Sequence, residues 1–153
     1  LRADVFMEYQ EVKQDLFTAP SDYYLAHCIS ADFAMGKGIA VQFNQHFDMR
    51  NKLQAAFPGY LATWQAQGRS FDCLLQGRVF NLITKERYYH KPTYQSLQGA
   101  LEIMRDLCRQ RQIQHLAMPL IGCGLDKLQW SQVSAIVQQV FAADEGRILV
   151  CIK

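Results

Sequence analysis

The stretch IQHLAMPLIGCGLD, residues 113–126, decides the fold because it places a predicted strand directly before a glycine loop. Ile113 to Met118 has the pattern of a short buried strand, which Pro119 closes. The apolar residues after the loop recur at spacings of three and four, which predicts a helix; they are Val133, Ile136, Val137, Val140 and Phe141. The stretch therefore predicts a strand, a Gly-x-Gly loop and a helix in succession.

A second unit of the same kind lies earlier in the chain. Tyr23 to Ile29 is a nearly continuous apolar run that predicts another buried strand, and Gly38 to Phe47 predicts a short helix. The loop between them, Ser30 to Ala40, contains Gly36 and Gly38. Two loops that bring backbone N–H groups and helix N-termini together favour a phosphorylated ligand. Either loop alone is a weak signal, because its glycines can serve tight turns and neither completes GxGxxG or GK[ST].

The remaining segments predict an α/β domain. The other predicted elements are strands at Val5 to Val12, Phe71 to Leu75, Val79 to Ile83 and Arg147 to Ile152, and helices at Asn51 to Ala56 and after Pro92. The turn Gln76-Gly77-Arg78 joins two of these strands in an antiparallel hairpin. Strands that alternate with helices indicate a layered fold around a mostly parallel sheet. No linker or repeat divides residues 1–153, so a single domain is expected.

Composition excludes several functional classes. The chain has 153 residues, 50% of them hydrophobic and 20% charged, with a formal net charge of +2. This balance argues against intrinsic disorder, against a membrane-spanning segment, and against nucleic-acid binding by bulk positive charge. Leu1-Arg2-Ala3-Asp4 is not a signal peptide. The cysteines form no CxxC pair and are expected to be free thiols in a reducing, intracellular compartment; they are Cys28, Cys73, Cys108, Cys123 and Cys151. The histidines lack metal-ligand spacing, so no metal site is predicted.

Five segments, in one order along the chain, resemble the macrodomain family and within it the terminal ADP-ribose protein glycohydrolase branch. They are LAHCIS at 25–30, MGKGIA at 35–40, ITK at 83–85, HKPTY at 90–94 and IGCGLD at 121–126. The resemblance runs from about Val12 to the C-terminus. It implies a three-layer α/β/α sandwich around a mixed, mostly parallel sheet, with ADP-ribose as the ligand and no cofactor.

The resemblance also implies roles for individual residues. Asp15 would accept a hydrogen bond from the adenine amino group, and the loops around Gly36 and Gly124 would hold the diphosphate and the distal ribose. Lys85 and Asp126 match the catalytic pair of the family. The implied substrate-binding residues are Asp15, Leu16, His27, Ser30, Met35, Gly36, Gly38, Ile39, Ala40, Pro119, Ile121, Gly122, Cys123, Gly124 and Leu125.

The chain departs from the family pattern at two places. Gln14 precedes Asp15 at a position where this branch usually has glycine, which affects adenine recognition. Tyr88-Tyr89 follow Lys85 at the expected mouth of the site.

The implied activity is release of ADP-ribose from esters of glutamate and aspartate side chains, and from O-acyl-ADP-ribose. In the implied scheme Lys85 attacks the anomeric carbon and Asp126 assists the proton transfers. A lysine ammonium has no lone pair, so it becomes a nucleophile only through desolvation, a nearby base, or both. Two structural alternatives stand beside this scheme: Lys85 as a solvated lysine after a strand, and Asp126 as a cap of the next helix.

Other candidate residues also have structural alternatives. His27 lies in an apolar strand, where a lone histidine is usually hydrogen-bonded and structural. Cys123 has no clear histidine partner, which favours a structural role over a nucleophilic one. Lys37 contacts either a phosphate or water, and Tyr94 either packs in the core or stacks on the ligand.

Two further functions compete with hydrolysis. A reader module would bind ADP-ribose without cleaving it, and would have no use for a desolvated Lys85. The second competing function is nucleic-acid binding through scattered arginines, although a net charge of only +2 argues against strong affinity for nucleic acid. The partners that the resemblance implies are ADP-ribose, ADP-ribosylated proteins, poly(ADP-ribose) and ADP-ribosylated nucleic-acid ends. It also implies a location in the nucleus or cytoplasm and a role in the DNA damage response. A monomer without a membrane partner is expected, because one core uses all the apolar stripes.

Overall fold

The computed structural model describes residues 6–153, which form six strands and five α-helices. The strands are β1 (Met7–Lys13), β2 (Tyr24–Ser30), β3 (Asp72–Gln76), β4 (Val79–Lys85), β5 (His115–Met118) and β6 (Gly146–Ile152). The helices are α1 (Ile39–Phe47), α2 (Met49–Ala56), α3 (Tyr60–Ala66), α4 (Tyr94–Arg111) and α5 (Trp130–Val140). A 3₁₀ turn, Leu16–Thr18, follows β1. Residues 1–5, which include the predicted start of the first strand at Val5, lie outside the described residues.

The strands form one sheet in the order β1-β6-β5-β2-β4-β3. Every neighbouring pair is parallel except β3 and β4, which form the predicted antiparallel hairpin. The prediction of a mixed, mostly parallel α/β sheet is therefore confirmed. Because β2 and β5 are neighbours and parallel, the glycine loops that follow them leave the same edge of the sheet.

Helices cover both faces of this sheet. On one face, α1, α2 and α3 pack in a first core that includes Phe43, Leu53 and Trp64. On the other face, α4 and α5 pack in a second core that includes Leu97 and Val137. Alternate side chains of a strand enter opposite cores, which explains why β4 is buried at nearly every position. The result is the three-layer α/β/α arrangement that the resemblance implies.

One helix was not predicted from the sequence pattern. α3 has only seven residues and follows the break at Pro58-Gly59, so it is too short to show a repeating apolar stripe. The predicted helix at Asn51 to Ala56 is present and begins two residues earlier, at Met49. Within residues 6–153, no helix combines the length and the apolarity that crossing a bilayer requires.

Candidate active site

A cavity of about 930 Å³ runs along the edge of the sheet where the parallel strands end. Residues at or just after the ends of β1, β6, β5, β2 and β4 line it. Adjacent strands are about 4.8 Å apart, so the ends of β1 and β4 are separated by roughly 19 Å. This length and volume suit an extended ligand with chemically different ends.

The two glycine loops meet over this cavity. Gly38 forms the N-cap of α1 with φ 63°, and Gly122 in the second loop has φ 72°. Residues other than glycine rarely adopt these backbone angles. A Cβ atom added at Gly38 would lie 3.6 Å from Leu125 Cδ1, so any side chain at this position would contact the second glycine loop. Both predicted loops therefore border one cavity.

Lys85 and Asp126 meet at the end of the cavity farthest from β1. Lys85 is the last residue of β4, and Asp126 ends the second glycine loop. The Lys85 ammonium donates a hydrogen bond of 2.6 Å to Asp126 Oδ1, between residues 41 positions apart. Only 12% of the Lys85 side chain and 15% of the Asp126 side chain are exposed. A carboxylate in this position is able to take a proton from the amine that it contacts.

This geometry excludes the structural alternatives for both residues. α5 has Gln129 as its N-cap and no side-chain capping bond, so Asp126 does not cap that helix. Lys85 is not a solvated lysine, because its ammonium is mostly buried and paired with Asp126. Both side chains line the cavity instead.

Ser30 and Asp32 brace the wall beside Lys85. Ser30 Oγ donates to Asp32 Oδ1 at 2.5 Å, and the same oxygen accepts from the Ala34 N–H at 3.1 Å. The second oxygen, Oδ2, accepts from the Tyr88 N–H at 3.0 Å. Asp32 therefore links the loop after β2 to the loop after β4. Ser30 lines the cavity, but its hydroxyl is committed to this link.

Two contacts fasten the segment after β4 to the second glycine loop. Lys91 Nζ donates to the Leu125 carbonyl oxygen at 2.8 Å, and the Gln129 N–H donates to the Tyr94 hydroxyl at 3.1 Å. Tyr94 packs against the second core and is absent from the cavity lining. Tyr94 therefore holds the loop in place, and the ligand-stacking alternative does not apply.

Three cysteines line the cavity, Cys28, Cys123 and Cys151, and burial raises the pKa of each thiol. Cys123 Sγ donates to the Ile121 carbonyl oxygen at 3.3 Å, and burial raises the pKa of the Cys123 thiol. Burial, followed by the negative charge of Asp126, raises the pKa of the Cys28 thiol. Because the thiolate is the nucleophilic form, these pKa shifts disfavour attack by any of the three cysteines. The structural role predicted for Cys123 agrees with this arrangement.

His27 and Met35 were expected to line the site, and the structure places both outside the cavity lining. His27 is fully buried, and its ring stacks on Phe43 with centroids 3.8 Å apart. Alternate residues of a strand share one face, and the face of β2 that carries His27 is covered by α1. Met35 is buried in the first core. The other residues of the implied substrate-binding set border the cavity.

The hydrogen bonds around His27 define its tautomer. Asn81 Nδ2 donates to the carbonyl oxygens of Leu74 and Val79, at 3.1 and 3.3 Å. The amide oxygen of Asn81 is therefore the acceptor that lies 2.7 Å from His27 Nε2, which must carry the hydrogen. His27 Nδ1 is buried without a hydrogen-bond partner among the described residues. A second proton would be unpaired there, and burial lowers the pKa of His27 to about 4.

We expect the free energy of unfolding to fall in acid because of His27. In the unfolded chain the imidazole binds a proton near pH 6.5, whereas in the folded protein it stays neutral until about pH 4. The contribution of neutral His27 to the free energy of unfolding is complete above pH 6.5. It is lost as the pH falls toward 4, by about 3 kcal/mol in total. Urea titrations across this range should show the loss, and a His27→Gln variant should show less of it. An equal pH dependence in the two proteins would contradict this assignment.

Asp15 and Leu16 border the opposite end of the cavity from Lys85. Asp15 precedes the 3₁₀ turn, and its Oδ1 accepts from the Phe17 N–H at 3.0 Å. Its Oδ2 lies 3.6 Å from Lys153 Nζ, and 41% of the Asp15 side chain is exposed. A carboxylate accepts several hydrogen bonds, so Asp15 retains the capacity to accept one from an amino group of a ligand.

Lysines outnumber acids around the cavity. The charged side chains of the lining are those of Lys37, Lys85, Lys91, Lys127 and Lys153, with Asp15 and Asp126. This excess of positive charge favours an anionic ligand such as a diphosphate. Within the described part of the chain, no three His, Cys, Asp or Glu side chains are grouped as metal ligands.

Several lining residues escaped the sequence analysis as members of a binding site. They include Gln42, Lys91 and the end of β6 at residues 151–153, whereas Tyr88 and Tyr89 lie at the cavity as the sequence analysis expected. β6 contributes because it lies between β1 and β5 and runs parallel to both. The strand order is needed to place this end at the cavity, whereas the apolar pattern of β6 shows only that the strand is buried.

Comparison with known proteins identifies relatives by sequence and several solved structures with the same fold. The sequence is 45% identical to the ADP-ribose glycohydrolase OARD1 of Homo sapiens over 141 residues, which cover 91% of this chain and 88% of that protein. The macrodomain of Thermus aquaticus DarG matches with a TM-score of 0.76 and 23% identity, covering 95% of this chain and 98% of that one. Thermosipho africanus DarTG in complex with ADP-ribose matches with a TM-score of 0.71 and 19% identity, covering 95% and 42%. No family model matches the sequence.

The solved structures establish the fold, and the identity to the human glycohydrolase over most of both chains establishes the family. The resemblance drawn from the sequence segments is therefore confirmed. This chain belongs to the macrodomain ADP-ribose glycohydrolases.

Proposed function

We propose that this protein hydrolyses the ester that joins ADP-ribose to glutamate and aspartate side chains of modified proteins. Membership of the glycohydrolase family supports cleavage of a bond to ADP-ribose. The observation that carries the finer proposal is the Lys85–Asp126 contact of 2.6 Å, largely buried at one end of the cavity. A reader module would gain nothing from an amine held against a carboxylate in this position.

The bound ligand would lie along the sheet edge with its adenosine and its distal ribose at opposite ends. Asp15 would accept a hydrogen bond from the adenine amino group at the β1 end. The loops that contain Gly36 and Gly124 would donate backbone N–H groups to the diphosphate, and the excess of lysines would favour its charge. The distal ribose would then reach the β4 end, where Lys85 and Asp126 lie.

The pairing of an amine with a carboxylate suits an ester better than other linkages. A carboxylate leaves readily as an anion, so the reaction does not require a strong acid to protonate the leaving group. An alkoxide from serine or a neutral guanidine from arginine leaves poorly without such an acid. Lys85 would supply the nucleophile, and Asp126 would supply the base that frees its lone pair.

The proposed reaction has two steps. Asp126 accepts a proton from Lys85, whose Nζ attacks the anomeric carbon; the Nζ–carbon bond forms as the bond to the ester oxygen breaks, and the protein carboxylate leaves with the electron pair. Asp126 next releases that proton to solvent and becomes a carboxylate again. Water then adds its oxygen to the anomeric carbon while its proton passes through Asp126 to Nζ. The carbon–Nζ bond breaks, and free ADP-ribose and the original lysine are restored.

Small esters would react in the same way. In O-acyl-ADP-ribose the leaving group is also a carboxylate, and its small size removes any need for contacts beyond the ribose. We therefore include deacylation of O-acyl-ADP-ribose in the proposed activity.

The test compares linkages. Wild-type protein should release free ADP-ribose, measured by chromatography, from a glutamate-linked ADP-ribosylated protein and from O-acetyl-ADP-ribose. It should release far less from matched serine-linked and arginine-linked proteins, because those leaving groups lack assistance. Calorimetric binding of ADP-ribose with no release from any linkage would support the reader alternative and overturn the proposal. Equal release from all linkages would overturn the ester preference.

The remaining partners stay predictions. Poly(ADP-ribose), ADP-ribosylated nucleic-acid ends, a monomeric state, and action inside the cell in the nucleus or cytoplasm follow from the resemblance and the composition. Each is separate from the ester chemistry and would survive or fail independently of it.

A further inference from the structure

Exposed large hydrophobic side chains concentrate at the mouth of the cavity. In the described part of the chain these side chains are Phe6, Phe71, Tyr88, Tyr89 and Leu125. Three of the five, Tyr88, Tyr89 and Leu125, also line the cavity. The two tyrosines are 61% and 65% exposed. Adjacent exposed aromatic side chains at the rim of a site mark a surface that a partner covers.

These side chains flank the reacting pair and not the adenine end. Tyr88 and Tyr89 follow Lys85 by three and four residues, and Leu125 directly precedes Asp126. Asp15 borders the other end of the cavity, near the end of β1. A ligand seated with its reacting carbon at Lys85 would therefore direct its leaving group toward the tyrosines.

Hydrogen bonds of the backbone hold the segment at residues 87–90, which carries the two tyrosines. The Tyr88 N–H donates to Asp32 Oδ2 at 3.0 Å, and the His90 N–H donates to the Arg87 carbonyl oxygen at 3.0 Å. The rings of Tyr88 and Tyr89 contact edge to face, with centroids 5.2 Å apart and an angle of 89°. Because the segment is already ordered, a partner that binds it pays little conformational entropy.

We propose that Tyr88 and Tyr89, with Leu125, form a docking platform for the polypeptide segment on either side of the modified glutamate or aspartate. The platform holds the leaving-group side of the substrate at the mouth of the ADP-ribose cavity. This inference rests on the proposed ester hydrolysis and adds the part of the site that selects a protein over a small acyl group.

Peptide fits this platform better than nucleic acid does. Successive bases stack on parallel aromatic faces, whereas the two tyrosine rings are nearly perpendicular and offer one face and one edge. The net charge of the whole chain, +2, is also too small to produce the broad positive field that attracts a nucleic-acid backbone. Aromatic faces, a leucine side chain and tyrosine hydroxyls together suit the mixed apolar and polar surface of an extended peptide.

The test measures kcat/KM on two esters that share ADP-ribose and differ in the leaving group. One is a glutamate-linked ADP-ribosylated peptide, and the other is O-acetyl-ADP-ribose. In a Tyr88→Ala/Tyr89→Ala variant, we expect the ratio of kcat/KM for peptide over acetyl ester to fall about tenfold or more, mainly through KM. Tyr88→Phe/Tyr89→Phe, which keeps both rings, should restore most of the ratio. Phe6→Ala, which removes an exposed ring remote from the cavity lining, should leave the ratio unchanged.

The outcomes separate this inference from the proposed function. An unchanged ratio in the double alanine variant would overturn the platform, as would an equal loss on both esters, which would place the tyrosines on ADP-ribose itself. An ADP-ribosylated oligonucleotide serves as a third substrate. If the double alanine variant loses kcat/KM only on this substrate, the rings contact a base, and the peptide platform is overturned. Absence of turnover by the wild-type protein on both esters would contradict the proposed function, and the inference with it.

Discussion

Replacing Lys85 with alanine should lower the release of ADP-ribose from a glutamate-linked protein by a factor on the order of 10³ or more. The reason is that the variant lacks the amine that would form the covalent bond to the anomeric carbon. The loops and Asp15 are untouched, so calorimetry should still detect ADP-ribose binding. Loss of kcat with retained binding is the pattern of a residue needed for chemistry and not for recognition.

Two further variants separate the amine from its charge. Lys85→Arg keeps a cation beside Asp126 but replaces the nucleophilic amine with a guanidinium, so it should be nearly as inactive as Lys85→Ala. Lys52→Ala, on the exposed surface of α2 and outside the cavity lining, is the matched control and should keep full activity. Turnover by Lys85→Ala within a few-fold of wild type would contradict the nucleophilic role.

Asp126→Asn should lower kcat by about 10²- to 10⁴-fold, the range expected when a general base is removed. The amide oxygen can still accept a hydrogen bond from Lys85, so the loop geometry is preserved while the proton acceptor is lost. Raising the pH should then recover activity in the variant more steeply than in wild type, because solvent removes the proton that Asp126 normally accepts.

The readout for Asp126 is the pH profile of kcat in the two proteins. Asp106→Asn, on an exposed residue of α4, is the matched control and should keep the wild-type rate and profile. A variant whose rate falls by a constant factor at every pH would show that Asp126 only positions Lys85. Full activity in Asp126→Asn would remove Asp126 from the mechanism altogether.

Most of the fold could be predicted because both faces of the sheet are covered. β2, β4 and β6 are apolar over consecutive positions, and the amphipathic stripes of α4 and α5 supply the outer layers. α3 was not predicted, since a helix of seven residues lacks the repeats from which periodicity is recognised. The order of the strands in the sheet could not be predicted either, because it depends on which strands pair across long stretches of sequence.

The site was only partly predictable for a related reason. The glycine loops have local signatures, whereas the contact between Lys85 and Asp126 spans 41 positions and depends on β5, β2 and β4 being neighbours. His27 shows the opposite case: its face was available from the alternation in β2, which groups it with Leu25 and Ile29 in the first core. The resemblance placed Tyr88 and Tyr89 at the mouth of the site, but they lie in a loop without periodicity, so their degree of exposure could come only from the structure.

Chemical trapping of the proposed intermediate tests the nucleophilic role of Lys85 most directly. Wild-type protein mixed with a glutamate-linked substrate and then treated with borohydride should carry ADP-ribose on Lys85, because the ring-opened form of the adduct is an imine that borohydride reduces to a stable amine. Peptide mass spectrometry should locate the modification at Lys85, with Lys52 as the internal control for non-enzymatic reaction. A modification no more frequent at Lys85 than at Lys52 during active turnover, or one on Cys123 instead, would contradict the account.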